Sequence, residues 1–190
     1  MAVIPPIEDP QTDELRERYE RLDAASGGLG VLNVFKVMAH NPQLLRAWLR
    51  MATMLLTPQL ALSPRLRELA ILRVFQNTGG EYGFAHHVRI GRQAGLTEDE
   101  IAGLKGYEGS AQFSDADRLA LRYTDAVTAL SGEAPALARA LLGTLSQQEL
   151  VELTFCAAHW NMVARFLQPL EIELDEPLTR ELPAGWRRWM

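Results

Sequence analysis

Four places in this 190-residue chain pair a small polar residue with the opening turn of a helix, and no segment between them alternates like a strand bounded by hairpin turns. Asn41-Pro42 and Ser63-Pro64 set a capping side chain ahead of a proline, whose missing N–H is no loss in a first turn. Thr97-Glu98-Asp99-Glu100 and Ser146-Gln147-Gln148-Glu149 are capping boxes, in which the hydroxyl and the acid each satisfy a backbone N–H of the other. Glycines supply the stops at Gly27-Gly28, Gly79-Gly80 and Gly95. The pattern predicts helices over about 12–22, 42–56, 66–76, 81–94, a short one after 97, then 114–131, 134–142 and 147–167. The fold class is therefore all-α, a helical bundle. The last of these helices is apolar nearly all round, which expects burial at the centre of the fold or in a subunit interface.

With 47% hydrophobic residues the chain can bury one substantial core, so a single domain is expected. It divides into a proline-bearing arm at 1–11, a helical domain at 12–170 and a C-terminal tail at 171–190 that carries Trp186 and Trp189. The net charge of −5 and a pI near 5.4 argue against a nucleic-acid partner. No run of about 18 apolar residues signals a membrane span, and the opening Met-Ala-Val-Ile-Pro-Pro lacks a basic, then apolar, export pattern, so a cytoplasmic protein is expected. The one cysteine, Cys156, forms no intrachain disulfide and sits among apolar helical neighbours, which suits a packed residue better than a reactive thiolate.

The chemistry concentrates in Glu81-Tyr82-Gly83-Phe84-Ala85-His86-His87 and in Glu68, nineteen positions before the second histidine. An acid and an imidazole on neighbouring helices are equipment for moving a proton. Winding at about 100° per residue puts Glu68 on an arc with Ile71, Leu72 and Phe75, facing inward, with Arg65 one turn earlier as its nearest candidate partner. The same winding separates the two histidines. His87 falls among Gly83, Phe84, Ile90, Gly91 and Ala94, whose glycines leave room around its ring, while His86 lies with Tyr82, Arg89 and Gln93 on a polar flank. Glu68 and His87 are the candidate catalytic residues; His86, Glu81, Tyr82, Gly83, Phe84 and Arg65 are candidates to line a pocket or orient a substrate. The competing reading of Glu68 is a structural pair with arginine, and that of His87 a hydrogen-bonded core residue. Adjacent histidines cannot aim at one ion from a regular helix and no His-x-x-x-His spacing occurs, so no metal and no cofactor is expected.

At these residues the chain resembles the carboxymuconolactone decarboxylase family, which includes the alkylhydroperoxidase AhpD-like proteins. The likeness runs through Leu62-Ser63-Pro64-Arg65-Leu66-Arg67-Glu68-Leu69-Ala70-Ile71-Leu72-Arg73, Glu81-Tyr82, His86-His87-Val88, Ala94-Gly95-Leu96-Thr97 and Glu100-Ile101, a core motif within 62–101. The resemblance implies an AhpD-like fold that assembles into trimers or hexamers, with Glu68 and His87 as the family's acid and histidine; a dimer is the smaller homo-oligomer also considered. In the peroxidase branch two cysteines precede that histidine by seven and four positions, where this chain has Gly80 and Gly83. Peroxide reduction by a cysteine pair is therefore not expected. The leading expectation is a decarboxylase-like lyase or isomerase acting, without cofactor, on a small carboxylated or lactone compound, with Arg65, Arg73, Arg89 or His86 orienting a carboxylate. The alternatives are a non-catalytic AhpD-like oligomer and, last, a peroxidase using Cys156.

Overall fold

The computed structural model describes residues 2–190, and among these the regular structure is helical throughout. The α-helices in chain order are α1 (Asp13–Ala25), α2 (Asn33–Met38), α3 (Pro42–Leu56), α4 (Pro64–Thr78), α5 (Glu81–Gln93), α6 (Glu98–Gly103), α7 (Asp115–Thr128), α8 (Ala134–Leu141), α9 (Gln147–Leu167) and α10 (Glu176–Glu181). Short 3₁₀ segments cover Leu104–Gly109, Gln168–Leu170 and Trp186–Trp189.

The caps do what their chemistry demands. Asn41 and Ser63 accept from the backbone N–H groups of Leu44 and Leu66, and both capping boxes close in both directions. A third box, Ser114 with Asp117, opens α7. Gly79 takes the left-handed conformation, φ +67°, that lets α4 stop and α5 start two residues later.

Helix α4 is the axis of the molecule, packed against α5, α7 and α9 at once. Glu68, Ile71, Leu72 and Phe75 are fully buried, as the winding argument requires, and Leu69 and Val74, off that arc, are buried as well because α4 is covered on several sides. One apolar cluster fills the space between α4, α5, α9 and the N- and C-terminal segments; a smaller one, with Leu62, Tyr123, Leu141 and Leu153, lies between α4, α7, α8 and α9. Helix α9 buries Leu153, Cys156, Ala157, Trp160 and Ala164 but leaves Val151, Phe155 and Met162 exposed. Those three recur at helical spacing along one stripe.

Both ends of the chain are tied down. In the arm, the Val3 N–H donates to the Leu170 carbonyl, and the Ile7 carbonyl accepts from Tyr19. The tail returns over α5, where the Trp186 ring stacks on Phe84 with centroids 6.2 Å apart and Leu178 is fully buried. No helix among the described residues is long and apolar enough to cross a membrane.

Candidate active site

The α4–α5 hairpin brings Glu68 and His87 together. Glu68 Oε2 lies 2.7 Å from His87 Nδ1, and both side chains are buried. On the far side of the ring, the indole N–H of Trp160 on α9 donates to His87 Nε2 at 2.7 Å. An indole nitrogen can only donate, so Nε2 carries no proton. A neutral imidazole must then hold its proton on Nδ1 and donate it in a hydrogen bond to Glu68 Oε2, which fixes the tautomer. The second carboxylate oxygen, Oε1, faces Arg67 Nε at 3.3 Å, and Arg67 Nη1 donates to the Thr57 carbonyl at 3.1 Å. A buried carboxylate thus has a cation on one oxygen and an imidazole N–H on the other, as burial of charge requires.

The partner of Glu68 is Arg67, not Arg65. Arg65 lies in the first turn of α4 and points towards the starts of α6 and α7, where it pairs with Glu100 and, at 2.8 Å, with Asp117. Both acids belong to capping boxes, so Arg65 joins two helix N-termini and takes no part in the site. Burial alone would raise the carboxyl groups of Glu100 and Asp117. Their bonds to the cap residues and to Arg65 outweigh it and hold both below the usual carboxylate range.

His86 is not on an open polar flank. Its Nε2 lies 2.8 Å from Asp175 Oδ2, and the same oxygen accepts the Tyr82 hydroxyl at 2.6 Å. The other oxygen of Asp175 accepts the Asn33 N–H at 2.7 Å. Burial pushes Asp175 up, but the His86 and Tyr82 hydrogen bonds, the His86 charge and the Asn33 N–H pull harder, so its carboxyl stays below the ordinary range. Burial and the Asp175 charge push the Tyr82 phenol well up, keeping it a donor. Asp175 holds the N-cap position of α10 yet makes no capping bond there, its carboxylate being given to the site instead. Sequence reasoning missed Asp175; its one local signal, an acid shortly before Pro177, marks a helix start and says nothing of a histidine far back in the chain.

The histidines of both pairs line one cavity of about 650 Å³. Its walls come from the end of α1, α2, α3, α4, α5 and α9 and are mostly apolar, with Phe35, Trp48, Phe75 and Trp160 among them; the polar lining includes Tyr82, His86, His87, Gln93 and His159. Gly83 borders that space, as expected, but the place a side chain would take at the glycines is already filled. A Cβ on Gly83 would lie 2.0 Å from Phe75 Cζ, one on Gly80 2.6 Å from Phe75 Cδ1, and one on Gly91 3.0 Å from Leu96 Cδ1. The Phe75 ring therefore occupies the positions where the peroxidase branch carries its cysteines.

Two further candidates fall outside the cavity. Glu81 is at the surface, paired with Arg187 at 2.6 Å. Phe84 is fully buried against Trp186. The carboxylate-orienting arginines are also engaged elsewhere. Arg73 forms two bonds to Asp125, and Arg89 donates to the Ser26 and Gly27 carbonyls and pairs with Glu181 at 2.9 Å. Cys156 is fully buried, and burial together with the Glu68 charge pushes its thiol far up, away from the thiolate. Among the described residues no three His, Cys, Asp or Glu side chains converge in a way that could hold a metal ion.

The all-helical core around the α4–α5 hairpin is an AhpD-like fold. Residues 42–126 match the carboxymuconolactone decarboxylase family, and with the shared fold this supports assigning the chain to the carboxymuconolactone decarboxylase and AhpD-like family. Similar structures include an uncharacterized peroxidase-related protein from Silicibacter sp. TM1040, at 22% identity over 93% of both chains and a TM-score of 0.82. A second, an AhpD-core peroxidase-related protein from Ralstonia eutropha JMP134, has 18% identity over 92% of this chain and 93% of that one, with a TM-score of 0.80. A third is a variant of the debrominase Bmp8 in complex with 2,3,4-tribromopyrrole, at 14% identity over 95% of both chains and a TM-score of 0.78. At such identities the likeness is one of fold. None of the curated proteins compared with the chain matches it.

Proposed function

We propose that the chain is a cofactor-independent enzyme, a lyase or isomerase, that moves a proton on a small lactone-like compound. The observation that carries this reading is the buried Glu68–His87 pair, with His87 bordering a cavity of about 650 Å³. Glu68 holds the proton on Nδ1, which leaves Nε2 as the basic nitrogen of His87. In the proposed step the substrate displaces the Trp160 N–H from Nε2. The C–H bond next to the substrate carbonyl then breaks, its proton forms the new Nε2–H bond, and the electron pair moves onto the carbonyl oxygen as an enolate. Glu68 stabilises the imidazolium, and the released indole N–H is a donor for the oxyanion. His86, oriented by Asp175 on the same cavity, is the candidate to return the proton. A decarboxylation would need a cation for the leaving carboxylate, and the arginines expected for that are bound elsewhere, so a proton-transfer step is favoured over loss of carbon dioxide. The debrominase complex with tribromopyrrole supports the idea that a related fold holds a small ring.

A second reading rests on the same hydrogen bonds. Both nitrogens of His87 are already satisfied, by Glu68 and by Trp160, which is what a non-catalytic core histidine would look like. Exchange of deuterium into γ- and δ-lactones, followed by proton NMR in D₂O, separates the two. The enzyme reading expects exchange that falls at least a hundredfold in His87→Ala and strongly in Glu68→Gln. Exchange equal in wild type and His87→Ala would leave the structural role. We also propose a cytoplasmic homo-oligomer, with the exposed stripe Val151, Phe155 and Met162 of α9 in the contact.

A further inference from the structure

His159 on α9 is 5% exposed, lines the cavity and makes no hydrogen bond; its Nε2 is buried without a partner. Its recorded neighbour is the Trp160 ring, met edge-on with centroids 4.7 Å apart. A buried ring nitrogen left unpaired is destabilising, and native proteins rarely leave one without a use. Burial and the nearby His87 push the His159 imidazole down to about 4, so at neutral pH it is uncharged and offers one N–H and one lone pair.

The rest of the lining narrows what such a group meets. Among the described residues Arg89 is the one arginine or lysine bordering the cavity, and its guanidinium is spent on Ser26, Gly27 and Glu181. His86 and His87 each face a carboxylate, at 2.8 and 2.7 Å. An anionic ligand would therefore enter a largely apolar space with no free cation and would lose hydration without replacement. A neutral ring with a single polar substituent loses little and satisfies the orphaned imidazole.

We infer that the cavity takes an uncharged, largely apolar ring compound bearing one hydroxyl or carbonyl group, and that His159 is the side chain that hydrogen-bonds this group and so sets specificity. This names the substrate class for the proposed enzyme and rests on that reading only for the use made of the ligand, not for its binding.

The test is equilibrium binding of three single-ring probes, phenol, toluene and benzoate, by calorimetry and by the fluorescence of the cavity tryptophans, with no turnover required. Wild type is expected to bind phenol and toluene at millimolar or lower concentration and benzoate at least tenfold more weakly than phenol. His159→Leu should weaken phenol by about tenfold while changing toluene by less than twofold, the span of one hydrogen bond. His159→Gln, which keeps a donor and an acceptor, should recover most of the phenol affinity, and toluene binding shows that each variant is folded. Equal losses for phenol and toluene, benzoate binding as tightly as phenol, or no binding of any probe by wild type would each overturn the inference. His87→Ala should retain phenol binding, so an inactive protein that still distinguishes phenol from toluene through His159 would sink the proton-transfer reading and leave this one standing.

Discussion

Replacing Gly83 by alanine tests whether Phe75 truly fills the ground beside His87. Within a helix alanine is ordinarily the better residue by up to about 1 kcal/mol, and Gly83 sits in the first turn of α5. Here the added Cβ would stand 2.0 Å from Phe75 Cζ and 2.1 Å from Cε1, against an ordinary carbon–carbon contact of about 3.5–4.0 Å. The ring would have to retreat by about 1.5 Å or more. It is fully buried and packed between α4 and α5, with only its cavity side open, and overpacking of this kind costs roughly 1–3 kcal/mol even when the backbone yields. Because the close approach is severe, the upper part of that range applies. Set against the helical gain, the net is about 1–2 kcal/mol of destabilisation, which lowers the melting temperature by about 2–8 °C in a chain of this size. Urea unfolding followed by circular dichroism measures it. The double-mutant cycle with Phe75→Leu sharpens the result, because a shorter side chain should turn the same Gly83→Ala change neutral or favourable. A Gly83→Ala protein as stable as wild type, or more so, would refute the packing argument.

Three further outcomes are expected. The Asp175 carboxyl is held below its unfolded value, so it contributes stability above the unfolded pKa that is lost as pH falls through the folded one. Glu100 and Asp117 act in the same direction, so unfolding free energy should drop steeply on acidification below about pH 4, and Asp175→Asn should lower stability at pH 7 and flatten that acid limb; an unchanged limb would contradict the Asp175 assignment. Cys156, fully buried and with its thiol pushed up, should react with iodoacetamide at neutral pH only as fast as the protein unfolds, and rapid labelling of native protein would contradict its placement. Light scattering should give a mass well above 21.2 kDa, and Phe155→Glu in the exposed α9 stripe should reduce it to the monomer's; a monomeric wild type would remove the interface proposal.

The helices were readable from the sequence because their signals are local. A serine or asparagine cap and a proline act within one turn, so the starts of α3, α4, α6 and α9 fall where expected, and helical winding alone placed Glu68, Ile71, Leu72 and Phe75 on the buried face. The site was readable only where its partners are close along the chain or fixed by that winding. Arg65 was the natural partner for Glu68 by turn spacing, but it met two capping acids from α6 and α7, and the long stem of Arg67 folded back to the carboxylate instead. The glycines around His87 indicated space, and nothing in their spacing told that Phe75, eight residues earlier, takes it. Helix α2 and helix α10, six residues each, are too short for periodicity to reveal, and with α10 went Asp175.

The two carboxylate–histidine pairs differ most in how far apart their members lie along the chain. Glu68 and His87 are separated by 19 residues and lie on consecutive helices, so closing one hairpin brings them together. His86 and Asp175 are separated by 89 residues and meet only after α6 to α9 have packed and the chain has crossed back over α5. Loop closure over the longer span is entropically more demanding, and contacts of that range consolidate late in folding. The cavity therefore acquires its two histidines in sequence. His87 is set in place by the early hairpin, while His86 swings without a partner until the last segment docks, so local unfolding of α10 would release one imidazole and leave the other held. Native-state hydrogen exchange would show this as weaker protection of α10 amides than of α4 and α5.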